Sequence, residues 1–244
     1  MELLKDIHAI DLALLVDDTL IISDVHIGFE EALNKQGMLV PRDHFPQLIK
    51  RMEGIFVQVD KKARGKLRHI IINGDLKHEF GRISEQEWRH TLKFLDFLGR
   101  HCHKVILVKG NHDTILGPIA QKRNLEVHEH MTLRNGEILI VHGDKLPSDD
   151  VFKQAKIIVI GHEHPSIALR SGPRVEKYKC FYVGKYKKRQ LIVLPSLNLL
   201  TEGSALMHEE VLSPFLKEKI DDFEVFIVED KIYKFGKLKN VLRI

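Results

Sequence analysis

Five short apolar runs in this chain each stop on residues that can bind a metal. LIIS is followed by Asp24-Val25-His26, HIIIN by Gly74-Asp75, and KVILVK by Gly110-Asn111-His112-Asp113. EILIV is followed by His142-Gly143, and KIIVI by Gly161-His162-Glu163-His164. The candidate ligands are therefore Asp24, His26, Asp75, Asn111, His142, His162 and His164. They offer only oxygen and nitrogen donors. That set suits borderline divalent cations such as Mn, Fe, Co, Ni or Zn and argues against a structural thiolate zinc site. Seven protein ligands are too many for one tetrahedral ion but fit two ions sharing a bridging carboxylate, held roughly 3.5–4 Å apart. Such a pair clamps the attacking and leaving oxygens of a phosphoryl group. It also acidifies a bound water, so that hydroxide becomes the nucleophile.

Residues so far apart in sequence need a scaffold that gathers them. Continuous runs of Val, Ile and Leu read as buried strands, and in sheets with helical crossovers ligands collect outside the carboxyl ends of the strands. Five such ends are expected to converge on one site. Gly74, Gly110 and Gly161 each precede a ligand and are read as letting the backbone turn to aim it inward.

The remaining pattern supplies the frame. Residues 7–16 read as an edge strand, turning at Asp17-Asp18 into a strand over 20–23. A short helix over 29–36 is closed by Gly37. Asp43 precedes an amphipathic helix with Leu48, Ile49, Met52, Ile55, Phe56 and Val59 at helical spacing. Ser84 and Glu87 form a capping-box pattern for a helix running to about Arg100, with Trp88, Leu92, Phe94, Leu95 and Leu98 as packing residues. Strands follow at 70–72, 105–108, 137–141 and 157–160, with a short helix near 115–122. After residue 160 short β runs dominate: 167–169, 180–183, 191–194, and a final pair, 223–228 and 232–235, turning near Asp230. Two packed sheets with helices on their outer faces are expected.

Composition bounds the class. The chain has 244 residues, 43% of them hydrophobic, enough for a sizeable core without disulfides. Cys102 and Cys180 lie in no metal-ligand pattern and read as reduced, partly buried thiols. Apolar runs are too short for a membrane span, and the first residues lack a secretory pattern, so no membrane partner and a cytoplasmic location are expected. The net charge of +4 is mildly basic. Residues 170–189 carry eight basic side chains and one acid, Glu176, and a second basic cluster covers Lys61, Lys62, Arg64, Lys66 and Arg68. These read as solvated surface or as a flank that contacts phosphates.

The ordered series Asp24-x-His26, Gly74-Asp75, Gly110-Asn111-His112-Asp113, His142 and Gly161-His162-x-His164 resembles the calcineurin-like metallophosphoesterase superfamily. The resemblance implies an α/β, four-layer αββα metallophosphoesterase sandwich over a single domain, residues 1–244, and a binuclear centre. By position, Asp24, His26 and His164 would hold one metal and Asn111, His142 and His162 the other, with Asp75 bridging. Two divalent cations are implied, Mn first, with Fe, Zn, Ni or Co compatible. His112 would be the catalytic general acid at the leaving oxygen, and Asp113 would orient it. Many members place an Asp soon after Gly-Asp. Here the string is Gly74-Asp75-Leu76-Lys77-His78-Glu79-Phe80-Gly81, which resembles a smaller bacterial and archaeal branch near ligase-associated DNA-repair endonucleases. Lys77 or His78 could touch substrate phosphate or lie behind the site.

The expected activity is hydrolysis of phosphate esters, with phosphodiesters favoured and DNA, RNA or a cyclic nucleotide as substrate. A phosphomonoesterase, a protein phosphatase, a scaffold on the same fold, and a nucleic-acid binder are the competing readings. A homodimer is a further expectation. His8, His44, His69, His90, His101, His103, His128, His130 and His208 are given no functional role, and Glu163 is read as a solvent-facing spacer. There is no Gly-x-Ser-x-Gly elbow, Walker loop or dinucleotide fingerprint, and covalent catalysis by Ser or Cys is disfavoured.

Overall fold

In the chain, apolar β-branched runs alternate first with two long amphipathic helices and later only with turns. A computed structural model describes residues 1–62, 65–80, 83–113, 117–123, 125–205 and 211–241. Arg64 of the second basic cluster, Gly81 and His208 lie outside the described residues, as does the start of the helix expected near 115–122. The elements are β1 (Glu2–Leu4), β2 (Ile7–Ile10), β3 (Ala13–Val16), β4 (Thr19–Ile22), α1 (Phe29–Lys35), α2 (His44–Asp60), β5 (Leu67–Asn73) and α3 (Glu85–Gly99). Next come β6 (Cys102–Val108), α4 (Gly117–Arg123), β7 (Glu126–His128), β8 (Met131–Leu133), β9 (Ile138–Ile140), α5 (Asp149–Phe152) and β10 (Ile157–Ile160). The last are β11 (Pro165–Ser171), β12 (Arg174–Tyr186), β13 (Arg189–Val193), β14 (Ser204–Ala205), β15 (Glu224–Val228), β16 (Ile232–Lys237) and α6 (Leu238–Val241).

The first sheet runs β1-β2-β3-β4-β5-β6-β7. Its meander is antiparallel up to β4, and β4, β5, β6 and β7 are parallel, in register at Ile21↔Ile71 and Ile71↔Ile106. The second runs β14-β11-β12-β13-β10-β9-β8, with β15 and β16 joined through β12. Its centre is parallel, with Val159 paired to both Ile140 and Ile192.

The two sheets pack face to face, and the strand alternation shows it. Ile138, Ile140, Val159, Phe181, Val183, Ile192 and Phe226 join one apolar cluster with the first sheet, α2 and α3. Their neighbours Leu139, Val141, Ile158, Ile160, Cys180, Tyr182, Leu191 and Val193 turn the other way, onto Phe152, Phe215 and Leu216. Period-two alternation in runs that are apolar throughout puts both faces of the second sheet out of water. The result is a mixed α/β sandwich of helices, sheet, sheet and a thin outer layer built from α5, α6 and the 3-10 turn Pro214–Leu216.

The edge strand expected over 7–16 is two strands, with β1 ahead of them at the edge. Asp11 takes φ 53° and Asp17 φ 53°, the left-handed conformation that a short polar side chain tolerates, and this splits the apolar run into hairpins. Both helix starts lie where expected. Ser84 Oγ accepts the Glu87 N–H at 3.1 Å. Cys102 and Cys180 are both buried and free. Among the described residues, no helix is long and apolar enough to cross a membrane.

Candidate metal centre

The carboxyl ends of β4, β5, β6, β9 and β10 meet at one edge of the sandwich. Backbone bonds lace the loops that leave them. Asp24 N donates to Gly74 O at 3.1 Å, His26 N to Asp75 O at 2.9 Å and Gly161 N to His142 O at 2.8 Å. Ser23 Oγ, which is buried, donates to Asn73 O at 2.7 Å. Asn73 Nδ2 donates to Val141 O at 3.0 Å and His162 N to Asp24 Oδ2 at 3.1 Å, which ties the first sheet to the second at the point where the polar side chains begin.

All seven candidate ligands come together there. Donor atoms of Asp24, His26 and His164 lie within 4.8 Å of one another, and so do those of Asp75, His142 and His162. Asn111 Oδ1 is 3.1 Å from His142 Nε2, which adds it to the second group. Asp75 stands between the groups: its Oδ2 is 3.6 Å from His26 Nε2 and 3.5 Å from His142 Nε2. His164 Nε2 is 3.2 Å from Asp24 Oδ1 and 3.3 Å from His26 Nε2. Carboxylates, imidazoles and one amide are donors that suit borderline divalent cations, and a third group, His26, His78 and His112, also has its donor atoms within 4.8 Å of one another.

The backbone is forced to make this arrangement. Asp24 (φ 53°), His26 (φ 48°), Asp75 (φ 50°), His162 (φ 65°) and His164 (φ 49°) are all left-handed. For a side chain with a Cβ that conformation costs about 1–2 kcal/mol per residue. Five of the seven candidate ligands carry it, and such strain concentrates where geometry serves a function. The glycines act mainly through space. A Cβ on Gly161 would lie 1.9 Å from Ser23 Oγ, and one on Gly110 2.2 Å from Asp75 Oδ1. Gly74 alone of the three takes a positive φ, 83°, so the expected turning role applies only there.

Charge is concentrated in a dry space: Asp24, Asp75 and His142 are each at most 2% exposed. Burial alone would raise the Asp24 carboxyl, but His164, His142 and His26 hold it below its ordinary value. Burial likewise opposes Asp75, whose bond to His142 brings it down. Burial would lower His142, yet the bond to Asp75 and the Asp24 charge raise it to about 9. Burial, with His164 beside it, lowers His26 to about 3. His142 Nδ1 faces Asn73 O at 3.1 Å, so Nδ1 carries the donor hydrogen and Nε2 is turned to the ligand cluster.

His112 borders this cluster, with Nε2 3.9 Å from Asp75 Oδ2 and the side chain 15% exposed. Its neighbour Asp113 does not turn to the imidazole as the sequence suggested. The Asp113 carboxylate accepts Gly110 N at 3.0 Å and Leu76 N at 3.2 Å, closing the loop on which His112 sits. His112 Nδ1 meets the carbonyl of His78 instead. Burial and the Asp75 charge push Asp113 up to about 7.

Three other residues bear on the site, and two of them, Glu163 and Lys179, differ from their reading in sequence. Lys77, for which two places were left open, is 0% exposed and turned onto backbone carbonyls behind the site. Glu163 is buried, accepting Ser213 N at 2.8 Å and Leu212 N at 3.1 Å, so it braces the ligand loop from behind. Lys179, in the basic stretch, turns its ammonium inward to Ser196 O (2.9 Å) and Asn198 O (2.7 Å), and burial lowers it to about 7. The loop it holds reaches the site: Ser196 Oγ and Asn198 N both bond Asp24 O, at 2.8 and 3.1 Å. Ser196 and Asn198 went unread in the sequence, where Pro195-Ser196-Leu197-Asn198 looks like any polar turn.

Comparison with known proteins agrees with this architecture. No curated protein sequence matches the chain. Among solved structures it is similar to the nuclease MPE of Pseudomonas putida, at 18% identity and TM-score 0.61, covering 92% of each chain. It also aligns with Vps29 of Entamoeba histolytica (16% identity, TM-score 0.34, covering 87% of this chain and 86% of that one). A family model described as calcineurin-like phosphoesterase matches residues 18–205, which span every candidate ligand from Asp24 to His164. By that match, over strand ends that gather carboxylates and imidazoles at one edge of a double sheet, the chain belongs to the calcineurin-like phosphoesterase family.

Proposed function

We propose that this chain is a two-cation phosphoric ester hydrolase, most active on phosphodiesters, and that all 244 residues act as one unit. The observation that carries it is the place of Asp75, within 3.6 Å of imidazoles from both ligand groups. Asp24, His26 and His164 hold one cation, and Asn111, His142 and His162 the other, with Asp75 shared. Bound divalent cations, Mn foremost, supply Lewis-acid charge that acidifies water and neutralises the phosphoryl group.

The protein's own groups do the rest. The backbone N–H of His112 donates to Asp75 Oδ1 at 2.9 Å, which holds the shared carboxylate in one orientation. With its Nδ1 turned to the His78 carbonyl, His112 presents Nε2 to the cluster and delivers a proton from that atom to the leaving oxygen. Attack in line by water needs no phospho-enzyme, and both cysteines are buried in the core, away from the ligand cluster.

The preference for diesters rests on charge. Arg170 is exposed on β11, the strand that leaves the site at His164, and suits a polyanion such as DNA or RNA; Lys185, Lys187 and Lys188 are exposed at the β12–β13 turn, beside the amino end of β10 and away from the site. The likeness to a nuclease, at 18% identity, supports the fold and no more. Hydrolysis of bis-p-nitrophenyl phosphate and p-nitrophenyl phosphate with Mn is the test, and faster diester turnover is expected. Faster monoester turnover makes the protein a phosphatase. No turnover of either, with metal bound, leaves a scaffold. His112→Ala should lower turnover of a diester with an alkyl leaving group about 10²–10⁴-fold, and that of bis-p-nitrophenyl phosphate far less, while the cations stay bound.

A further inference from the structure

We propose that Lys77, backed by Glu87, is a positioning residue for His112, an inference that rests on the acid role given to His112 above. Neither residue belongs to a ligand motif, and both are 0% exposed. A lysine and a glutamate are rarely buried so completely without a specific task for each charge.

The task is visible in what they hold. Lys77 Nζ donates to the backbone carbonyl of His112 at 2.6 Å and to that of Glu79. Glu87 Oε1, reaching up from the first turn of α3, accepts the N–H groups of His78 and Glu79, each at 3.0 Å. The segment 77–79 is thus gripped from below by the carboxylate and pinned across to the His112 loop by the ammonium. That segment supplies the carbonyl of His78, the partner of His112 Nδ1. His112 is consequently fixed at three atoms: its N–H by Asp75, its Nδ1 by His78 O, and its carbonyl by Lys77. The exposed Phe80 ring lies against its imidazole, with centroids 3.7 Å apart. The free Nε2 has one direction left to point.

The glycine at the base of the site shows how closely Glu87 is fitted. A Cβ on Gly28 would lie 2.8 Å from Glu87 Cδ, and Gly28 itself takes φ 96°. Only glycine lets the backbone pass this close to the Glu87 side chain.

The test separates aim from mere stability. Lys77→Met keeps the length of the side chain and removes the ammonium. A displaced acid hurts most where the leaving oxygen needs a proton. We expect Lys77→Met to retain its metal and to lose about 100-fold on a diester with an alkyl leaving group. On a p-nitrophenyl diester the loss should stay under about tenfold, because p-nitrophenolate departs without general-acid help. His112→Ala should show the same slope, and the double variant should be no worse than His112→Ala alone. A second readout needs no cation. In the imidazole nitrogen spectrum of the metal-free protein, the hydrogen-bonded Nδ1–H signal that His112→Ala removes should weaken in Lys77→Met. If Lys77→Met fails to fold, Glu87→Ala, which frees the His78 and Glu79 N–H groups, should give the same pattern. Equal losses on both substrates, or wild-type behaviour, beside a steep His112→Ala overturn the role of Lys77 alone. A flat His112→Ala overturns the acid assignment and this proposal with it.

Discussion

Two regions of this molecule are rich in charge and handle it in opposite ways. At the carboxyl ends of the strands, Asp24, Asp75 and His142 are buried and each touches several others. On the hairpin of β11 and β12 and the turn into β13, Arg170, Lys185, Lys187 and Lys188 stand in solvent. Even there two basic groups go inward. Lys179 holds the loop behind Asp24, and Arg189 donates to the carbonyls of Phe152 and Ala155, both at 2.9 Å. The difference teaches that a charged side chain has to be judged by the partners it can reach. The stretch 170–189, uniform in sequence, holds both cations turned inward and cations exposed to solvent.

Substitutions should expose that contrast. Asp75→Asn removes the shared charge and should abolish turnover together with binding of at least one cation, measured by metal analysis of the purified variant. Lys185→Ala should leave both unchanged. A smaller but still large effect is expected from Gly161→Ala, where the new methyl overlaps Ser23 Oγ and Asp24 Oδ2. A loss of about 1–3 kcal/mol in denaturant unfolding is anticipated from such overpacking, with weaker metal binding.

Acid–base behaviour sharpens the comparison further. His142 is raised to about 9 in the metal-free protein, so it carries a proton at pH 7–8. A cation needs the Nε2 lone pair, so binding must expel that proton. Apparent metal affinity should rise with pH up to about 9 and then level off. Calorimetry in buffers of different ionisation enthalpy should register the released proton at pH 7.5 and none well above 9. The smallest effects belong to the hairpin. Replacing Lys185 and Lys188 by Ala should leave turnover of small diesters intact. The salt dependence of DNA or RNA binding should soften by about one unit of log–log slope for every phosphate that these lysines would otherwise neutralise. Arg189→Ala, in contrast, should cost about 1–3 kcal/mol of stability, since two carbonyls lose their donor.

Much of this could be read before any coordinates. The parallel strands at β4, β5, β6, β9 and β10 announce themselves as apolar runs, and their polar stops name the residues that the structure gathers. The short strands β7 and β8 did not stand out, because three residues such as Glu126–His128 carry no period. Asp11 looked like part of a strand because its turn depends on φ, which its residue type permits but does not declare. Glu163 is buried where its sequence context suggests solvent, and Lys77 takes one of the two places left open for it, for a single reason. A charged residue in a loop is usually solvated, and only tertiary contacts show that Leu212 and Ser213, or the carbonyl of His112, are waiting for it. The glycines were found for the wrong cause at two of three sites. Sequence suggests turning freedom, whereas Gly110 and Gly161 exist to leave room for Asp75 and for Ser23 with Asp24.

The central claim is that Asp75 joins two cation sites. Anomalous diffraction from crystals grown with Mn addresses it most directly. Two peaks are predicted, roughly 3.5–4 Å apart, one among Asp24, His26 and His164, the other among Asn111, His142 and His162, with Asp75 touching both. A single peak at full Mn occupancy, or peaks away from these side chains, would contradict the account.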